Sequence, residues 1–516
     1  MRDLNKVFIL YLGLVVMIIM GVMAWQFPKP AATEPRTTRT SRPPSTSPST
    51  LPLDTEEQPK RNLPRPSEDA IPDEYLLSFP SEQALEEFMI SSNGIEILGR
   101  SRYSNTLRVR AHSSLSDLLP EGAQIEHNYY VSPPPLVEGT LSPSAVGFEG
   151  RVLEWLGITE DNRHWGEGVS VAVIDTGLMD HPVFDSDVTA YSLIESTSEL
   201  HPHGTAMASL WRVETAIAPA VDLTSIQVSD STGFSDLFTL AEAIYLAVDQ
   251  GADLIPISMA SVDTNSTLDD AIQYAVDHGA LIIASAGNSG TDTPMYPAAH
   301  PDVISVTALD YYRNYPGFAN TGESLTLAAP GVGLVTAHEE DGYSLSTGTS
   351  PSAQIAANII AAAMSELEID NAYLASEIVI DNLNELGPAG QDTLFGHGYP
   401  QTDVILSHDT TGIYDAALAS PITTSDPLTG EPMITLVIDN PGTEPLRNAT
   451  LHVTINGESY QTTIDELSPK ESTEIPITVT AGVDQLSLSA TVQTPDHTPD
   501  ARPDDNTIRA TITLAE

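Results

Sequence analysis

Three kinds of hydrophobic pattern divide the chain. The first is an unbroken apolar run. Val7–Trp25 carries no charge over nineteen residues. That is longer than the ~7–15 residues of a signal-peptide core and close to the ~20 needed to span a bilayer. Arg2 and Lys6 precede the run, and Trp25 ends it where interfacial aromatics sit. Residues 1–27 are therefore read as a membrane anchor, or as a signal segment if Val22-Met23-Ala24 is cleaved. Residues 28–70 are rich in Pro, Ser and Thr without periodicity, and predict a disordered stalk.

The second pattern is short and mixed. Tyr75–Phe79, Ile95–Leu98, Leu107–Arg110 and Gln124–Val131 read as strands, and Ser81–Met89 and Ser113–Leu119 as helices. The order β-α-β-β-α-β predicts a small α+β unit of ferredoxin-like type over residues 71–135. A linker follows at 136–147. The surrounding Ser132–Thr140, with consecutive Pro133, Pro134 and Pro135, reads as a processing segment. Beyond it, Val169–Ile174 and Leu281–Ser285 are β-branched-rich apolar runs suited to strands buried on both faces, while Ala241–Val248 and Ala271–Val276 have helical character. This alternation predicts an α/β domain with a doubly wound parallel sheet over 148–408.

The third pattern is period-two alternation. It appears at Ile434–Asn440, Ala449–Ile455, Glu474–Thr480 and Leu486–Val492, with the hairpin signal Asn456-Gly457 between two such runs. Residues 411–516 are expected to form an all-β sandwich of immunoglobulin-like type.

Candidate chemistry falls in the α/β region. Asp175 closes an apolar strand in VAVIDTG, His203 opens a helical stretch in HGT, and Ser350 in GTS precedes Pro351 and a long helical run. Pro suits a first helical turn, so Ser350 is expected at a helix N-terminus, where the dipole favours developing negative charge. Each motif alone has a plain reading as turn, cap or structural residue. DTG also marks aspartic proteases, but the nearest second loop, Asp230-Ser231-Thr232-Gly233, has an extra residue and α/β surroundings. Together the three supply a nucleophile, a base and a group that orients the base. Asp before His before Ser is the subtilisin order.

With ASAGNSG at Ala284–Gly290, AIAPAVDLTSIQV, AVDQGADLIPISMA, LAAPGVGLVTA and FGHGY in register, the region from Phe148 to His408 resembles the subtilisin-like serine proteases (subtilases). The resemblance implies a subtilisin-like fold and peptide-bond hydrolysis through an acyl-enzyme. It makes Asp175, His203 and Ser350 the triad and Asn288 the oxyanion donor. It also implies that Gly233, Phe234 and Ser235, and Ser258, Met259 and Ala260, flank the substrate backbone. The unit at 71–135 is similar to the family's inhibitory propeptide, implying a zymogen. Ala206 stands where the family usually has a second His, Pro351-Ser352-Ala353-Gln354 replaces Met-Ala-x-Pro, and Ser258-Met259-Ala260 replaces Ser-Leu-Gly. These departures bear on specificity and rate. The C-terminal stretch resembles bacterial adhesion-related immunoglobulin-like modules, for which a spacer role and a cell-envelope ligand are both open.

Charge sets the surroundings. The formal net charge is −50, and lysine occurs only at Lys6, Lys29, Lys60 and Lys470. Between residues 148 and 408 there are 37 acidic residues against four arginines. Such a surface disfavours nucleic acid and is best screened in salt, where the Debye length falls to ~3 Å at 1 M. Cysteine is absent, which excludes disulfides, thiolate metal sites and a Cys nucleophile. No cofactor or metal is assigned. Structural calcium is compatible with acidic loops such as Asp180–Asp187, but no spacing is diagnostic. The expected partners are polypeptide substrates and, through residues 1–27, a membrane. The expected location is extracytoplasmic, tethered, or secreted if the segment is cleaved. Two other readings stay open: a catalytically silent subtilase-fold binding protein, and an envelope or adhesion protein whose C-terminal module is the working part.

Overall fold

A computed structural model describes residues 69–513 except 92–94, 113–114, 116–117, 136–138, 185–187, 195–198, 339–340, 420, 426–431, 480–484 and 496–497. The predicted span and stalk lie outside the described residues. Among the described residues, no helix is long and apolar enough to cross a membrane.

Among the described residues, the first module is an antiparallel sheet carrying one helix. Its elements are β1 (Ala70–Ser78), α1 (Glu82–Ser91), β2 (Glu96–Arg100), β3 (Thr106–Arg110) and β4 (Gln124–Val131), in the spatial order β2-β3-β1-β4. Leu77, Leu85, Phe88, Leu107 and Val109 fill its core. The second helix predicted at 113–119 falls largely on residues outside the described ones. Leu118 N donates to Leu115 O at 2.9 Å, a single turn.

The second module contains α2 (Val152–Trp155), β5 (Ser170–Asp175), β6 (Thr189–Ser192), α3 (His203–Ser209), β7 (Asp222–Gln227), β8 (Ser235–Asp236), α4 (Leu237–Asp249), β9 (Leu254–Ile257) and α5 (Ser266–Asp277). It continues through β10 (Leu281–Ser285), β11 (Ile304–Leu309), β12 (Leu327–Pro330), β13 (Leu334–Ala337), β14 (Tyr343–Ser346), α6 (Thr349–Glu366), α7 (Ala372–Asp381) and α8 (Thr402–Leu406). Seven strands form a parallel sheet, ordered β12-β11-β10-β9-β5-β7-β6. Alternate residues of β5 enter opposite cores. Val171 and Val173 join Met207, Ile355 and Ile359 on one face, and Ala172 and Ile174 join Leu240, Ile244 and Leu268 on the other. Both faces are therefore covered by helices, as the uninterrupted apolar runs require. Helices α4 and α5 begin earlier than the ranges read from the sequence: Asp236 and Asn265 accept from Thr239 N and Leu268 N as N-caps, and Leu237, Phe238, Leu240 and Leu268 extend their buried faces. The order reverses between β5 and β9, a switch point whose carboxyl-end crevice is where open sheets place ligands.

The third module comprises β15 (Ala417–Leu418), β16 (Ile422–Ser425), β17 (Pro432–Asp439), β18 (Leu446–Ile455), β19 (Glu458–Leu467), β20 (Ser472–Thr478), β21 (Gln485–Gln493) and β22 (Thr507–Thr513). One antiparallel sheet joins β15, β16 and β20 to β17. The other runs β19-β18-β21-β22. Both sheets contribute to one core, including Leu436, Ile438, Leu451, Leu488 and Val492. Asn456 and Gly457 connect β18 to β19 with φ of 50° and 88°, the left-handed pair a two-residue hairpin needs.

Candidate active site

Asp175 sits at the carboxyl end of β5, fully buried. Its Oδ1 accepts from Thr176 N at 2.7 Å and from His203 Nδ1 at 2.8 Å. A carboxylate fixed on Nδ1 leaves Nε2 as the ring's outward nitrogen. His203 opens α3, whose approach to β5 is close: a Cβ on Gly204 would stand 2.4 Å from Gly177 O. Thr176 Oγ1 accepts from Gly204 N at 2.8 Å and donates to His201 O at 2.9 Å, bracing the histidine turn. Burial, followed by proximity to His203, lowers the pKa of the His201 ring, which favours its neutral form.

Ser350 lies in the first turn of α6, a helix almost entirely buried from Thr349 to Met364. Its Oγ is buried and makes no hydrogen bond among the described residues. Asn288 comes from the loop after β10 and is likewise buried. Its Oδ1 accepts from Thr349 N at 2.8 Å and Thr349 Oγ1 at 2.9 Å, so its amide presents Nδ2 to the cleft. Thr349 Oγ1 also accepts from Gly287 N at 3.0 Å. Gly348, at φ 153°, completes the turn, where a Cβ would press to 3.0 Å from Asn288 Nδ2.

His203, Asn288, Ser350 and Phe234 line one cleft of about 500 Å³, together with Pro133–Pro135. The chain itself runs through this cleft. Tyr130 and Val131 pair antiparallel with Asp236 and Ser235. On the other side, Ser132 N donates to Ala260 O at 3.0 Å and Ala260 N to Ser132 O at 2.8 Å. Asn288 Nδ2 donates to Pro134 O at 2.6 Å.

Of the predicted substrate residues, Ser235 and Ala260 hold this strand by backbone bonds, and Gly233 and Phe234 border it. Phe234 is exposed and meets the Tyr130 ring edge-on at 5.9 Å. Ser258 and Met259 are instead fully buried. Ser258 Oγ donates to Ser350 O at 3.2 Å and accepts from Gln354 Nε2 at 3.1 Å, while Gln354 Oε1 accepts from Trp211 Nε1 at 2.8 Å. Gln354, one of the departures from the family pattern, thus ties α6 to Ser258 and to Trp211. The bracing contacts of Thr176, Thr349 and Gln354 were not read from the sequence, although the first two adjoin motif residues and the third marks a departure from the family pattern.

Among the described residues, one acidic group could hold a metal: Asp415, Asp500 and Asp505, with ligand atoms within 4.8 Å of one another. None of them lines the cleft. Arg502 donates to Asp415 through Nε at 2.9 Å and through Nη2, and stands 4.0 Å from Asp505. The chain thus supplies its own cation there.

The profile of the "Subtilase family" matches residues 166–398. The "Thermophilic serine proteinase" of Bacillus sp. (strain AK1) is 33% identical over 195 residues, covering 36% of this chain and 49% of that protein. The "Minor extracellular protease Epr" of Bacillus subtilis (strain 168) is 28% identical over 246 residues, 46% of this chain and 38% of its own length. "Thermitase" of Thermoactinomyces vulgaris is 30% identical over 197 residues, 36% of this chain and 71% of its own. The chain thus spans about half or less of the first two relatives and more than two thirds of the third.

Proposed function

The chain belongs to the subtilase family of serine-type endopeptidases, and on that premise we propose that it is an exported endopeptidase made as a zymogen. Ser350 Oγ attacks the substrate carbonyl while His203 takes its proton. Asp175 holds the His203 tautomer and stabilises the imidazolium. The carbonyl oxygen, turning into an oxyanion, is met by Asn288 Nδ2 and, at the helix N-terminus, by the Ser350 backbone N–H. His203 then protonates the leaving amine, and water repeats the cycle on the acyl-enzyme. Substrate adds as a strand between Gly233–Ser235 and Ser258–Ala260.

The observation that carries this reading is a peptide carbonyl already bonded to Asn288 Nδ2 in the cleft that Ser350 and His203 line. Residues 71–135 act as the inhibitory prodomain. Their support is β4, which continues into the cleft, and a seam to the catalytic module. In that seam Arg108 Nη1 meets Asp236 at 2.7 Å, Asn128 Nδ2 donates to Asp236 at 3.0 Å, and Asn265 Nδ2 donates to His127 O at 3.1 Å.

The C-terminal module is assigned to the immunoglobulin-like class as a stabilising spacer. It is held to the catalytic module by Glu385 N donating to Asp439 at 3.0 Å and by Arg502 against Asp403 at 3.5 Å. Export, with residues 1–27 as anchor or signal, accords with the name of the relative Epr and the apolar run. Fluorophosphonate labelling tests the enzymatic step. With the prodomain removed, the protein should label at Ser350 and hydrolyse peptides, and the Ser350→Ala form should do neither. An unlabelled, inactive but folded protein would leave only a binding role.

A further inference from the structure

The carbonyl held by the oxyanion donor belongs to Pro134, so the peptide bond offered to Ser350 is Pro134–Pro135. Resting on the endopeptidase reading above, we infer that this prolyl pair makes the strap an occupant that its own active site does not cut. Release of residues 69–135 then requires hydrolysis by another peptidase, or at another bond.

The strap's register is set by several contacts at once. Val131 is buried and paired to Ser235, and Ser132 exchanges two backbone bonds with Ala260. The module behind it is fixed by the Arg108–Asp236 pair and by Tyr103 stacked on Tyr245 at 5.0 Å. A slip of one residue would turn Val131 out of its pocket, because strand side chains alternate faces. Pro134–Pro135 therefore stays at the reacting position.

Cleavage there would form a bond from Ser350 Oγ to Pro134 C and break the bond from that carbon to Pro135 N. The serine proton would travel through His203 to the departing nitrogen. In an ordinary peptide that nitrogen carries a hydrogen, and its lone pair turns freely toward the histidine. In Pro135 it carries the ring methylene Cδ instead, and the ring resists the inversion that would expose the lone pair. A proton donor and acceptor displaced by an ångström cost on the order of 100-fold in rate. Pro133 and Pro134 have no N–H either, so strand pairing to residues 258–260 stops at Ser132.

The same chemistry makes the strap a good occupant. Ser132, Pro133 and Pro134 each precede a proline and are confined to extended backbone, the conformation the cleft holds. Binding therefore costs little ordering entropy, and the tether keeps the local concentration high.

The test uses the full chain, its Ser350→Ala form and its Pro134→Ala/Pro135→Ala form, held in high salt and followed by intact mass and N-terminal sequencing. The natural chain should stay joined between 134 and 135. The double-alanine form should open at that bond on the order of 100-fold faster, and adding Ser350→Ala should abolish the opening. A Ser350-dependent cut at 134–135 in the natural chain overturns the inference, and so does a double-alanine form that stays joined. In that last case, fluorophosphonate is applied to a Val131→Asp chain, in which a buried charge expels the strap. Label at Ser350 leaves the endopeptidase reading standing; its absence removes that reading as well.

Discussion

Thr349 grips Asn288 through two bonds to one oxygen, and replacing it by valine takes away only one of them. Thr349→Val keeps the volume of a fully buried side chain and keeps the backbone bond from residue 349 to Asn288 Oδ1. It deletes the hydroxyl donor at 2.9 Å and the acceptor for Gly287 N at 3.0 Å. A neutral hydrogen bond is worth about 1 kcal/mol net, and a buried N–H left unpaired costs about 1–3 kcal/mol. The second figure falls on stability and should appear as a lower Tm. The first falls on the orientation of the Asn288 amide. One kilocalorie of lost restraint thins the productive orientation about fivefold, since about 1.4 kcal/mol is tenfold. On strap-free enzyme with a chromogenic peptide, kcat should drop about fivefold with KM nearly unchanged, because the contact strengthens only as the oxyanion forms. Asn288→Ala should cost about 10²–10³, the usual worth of a side-chain oxyanion donor. In the Asn288→Ala background, Thr349→Val should cost kcat nothing more, giving a coupling of about 1 kcal/mol. A Thr349→Val enzyme with lowered Tm but full kcat would refute the positioning role, as would a kcat loss that persists without Asn288.

Three further outcomes follow from the same structure. Asp175→Asn should lower kcat about 10⁴-fold while leaving the fold intact, since the wrong His203 tautomer is then favoured; circular dichroism with kcat on one preparation checks this. Burial and the nearby Asp415 push the Asp505 carboxyl up to about 8, against the pull of Arg502 and Arg313. The native state thus keeps a proton that the unfolded chain gives up near pH 4, so stability should fall as pH rises from about 4 through 8. Asp505→Asn should flatten that slope in thermal melts between pH 5 and 9. With a formal charge of −50, Tm should climb between 0.1 and 2 M NaCl as screening shortens the Debye length from ~10 Å to below ~3 Å. A flat salt response would dissociate the acidic composition from a saline setting.

What could be read from the chain alone was whatever neighbours in sequence decide. The runs Val169–Ile174 and Leu281–Ser285 are strands because apolar β-branched residues buried on both faces leave few alternatives. Asn456-Gly457 is a hairpin because both residues tolerate positive φ. Elements governed by a cap or an edge were less legible. Helices α4 and α5 are capped by Asp236 and Asn265 and begin four or five residues before the ranges 241–248 and 271–276 read from the sequence. Strand β19 is an edge strand with a mostly exposed polar sequence, so it shows no usable alternation.

The candidate site divides along the same line. Asp175, His203 and Ser350 each end or begin an element, and spacing within motifs suffices to nominate them. What supports them comes from far along the chain: Thr349 reaches Asn288 across 61 residues, and Gln354 reaches Trp211 across 143. No local pattern encodes such contacts. Residues 133–135 show this most sharply. Three prolines after a strand read as a linker, an easily cut segment, on composition alone. Once Ser132 is in register with Ala260 and Pro134 with Asn288, the same prolines become the part of the strap that this nucleophile is least able to open. Whether a proline-rich stretch is a cleavage site or a plug depends on which carbonyl meets the oxyanion donor. Ser235 in β8 and Ala260 just beyond β9, each more than a hundred residues downstream, decide that.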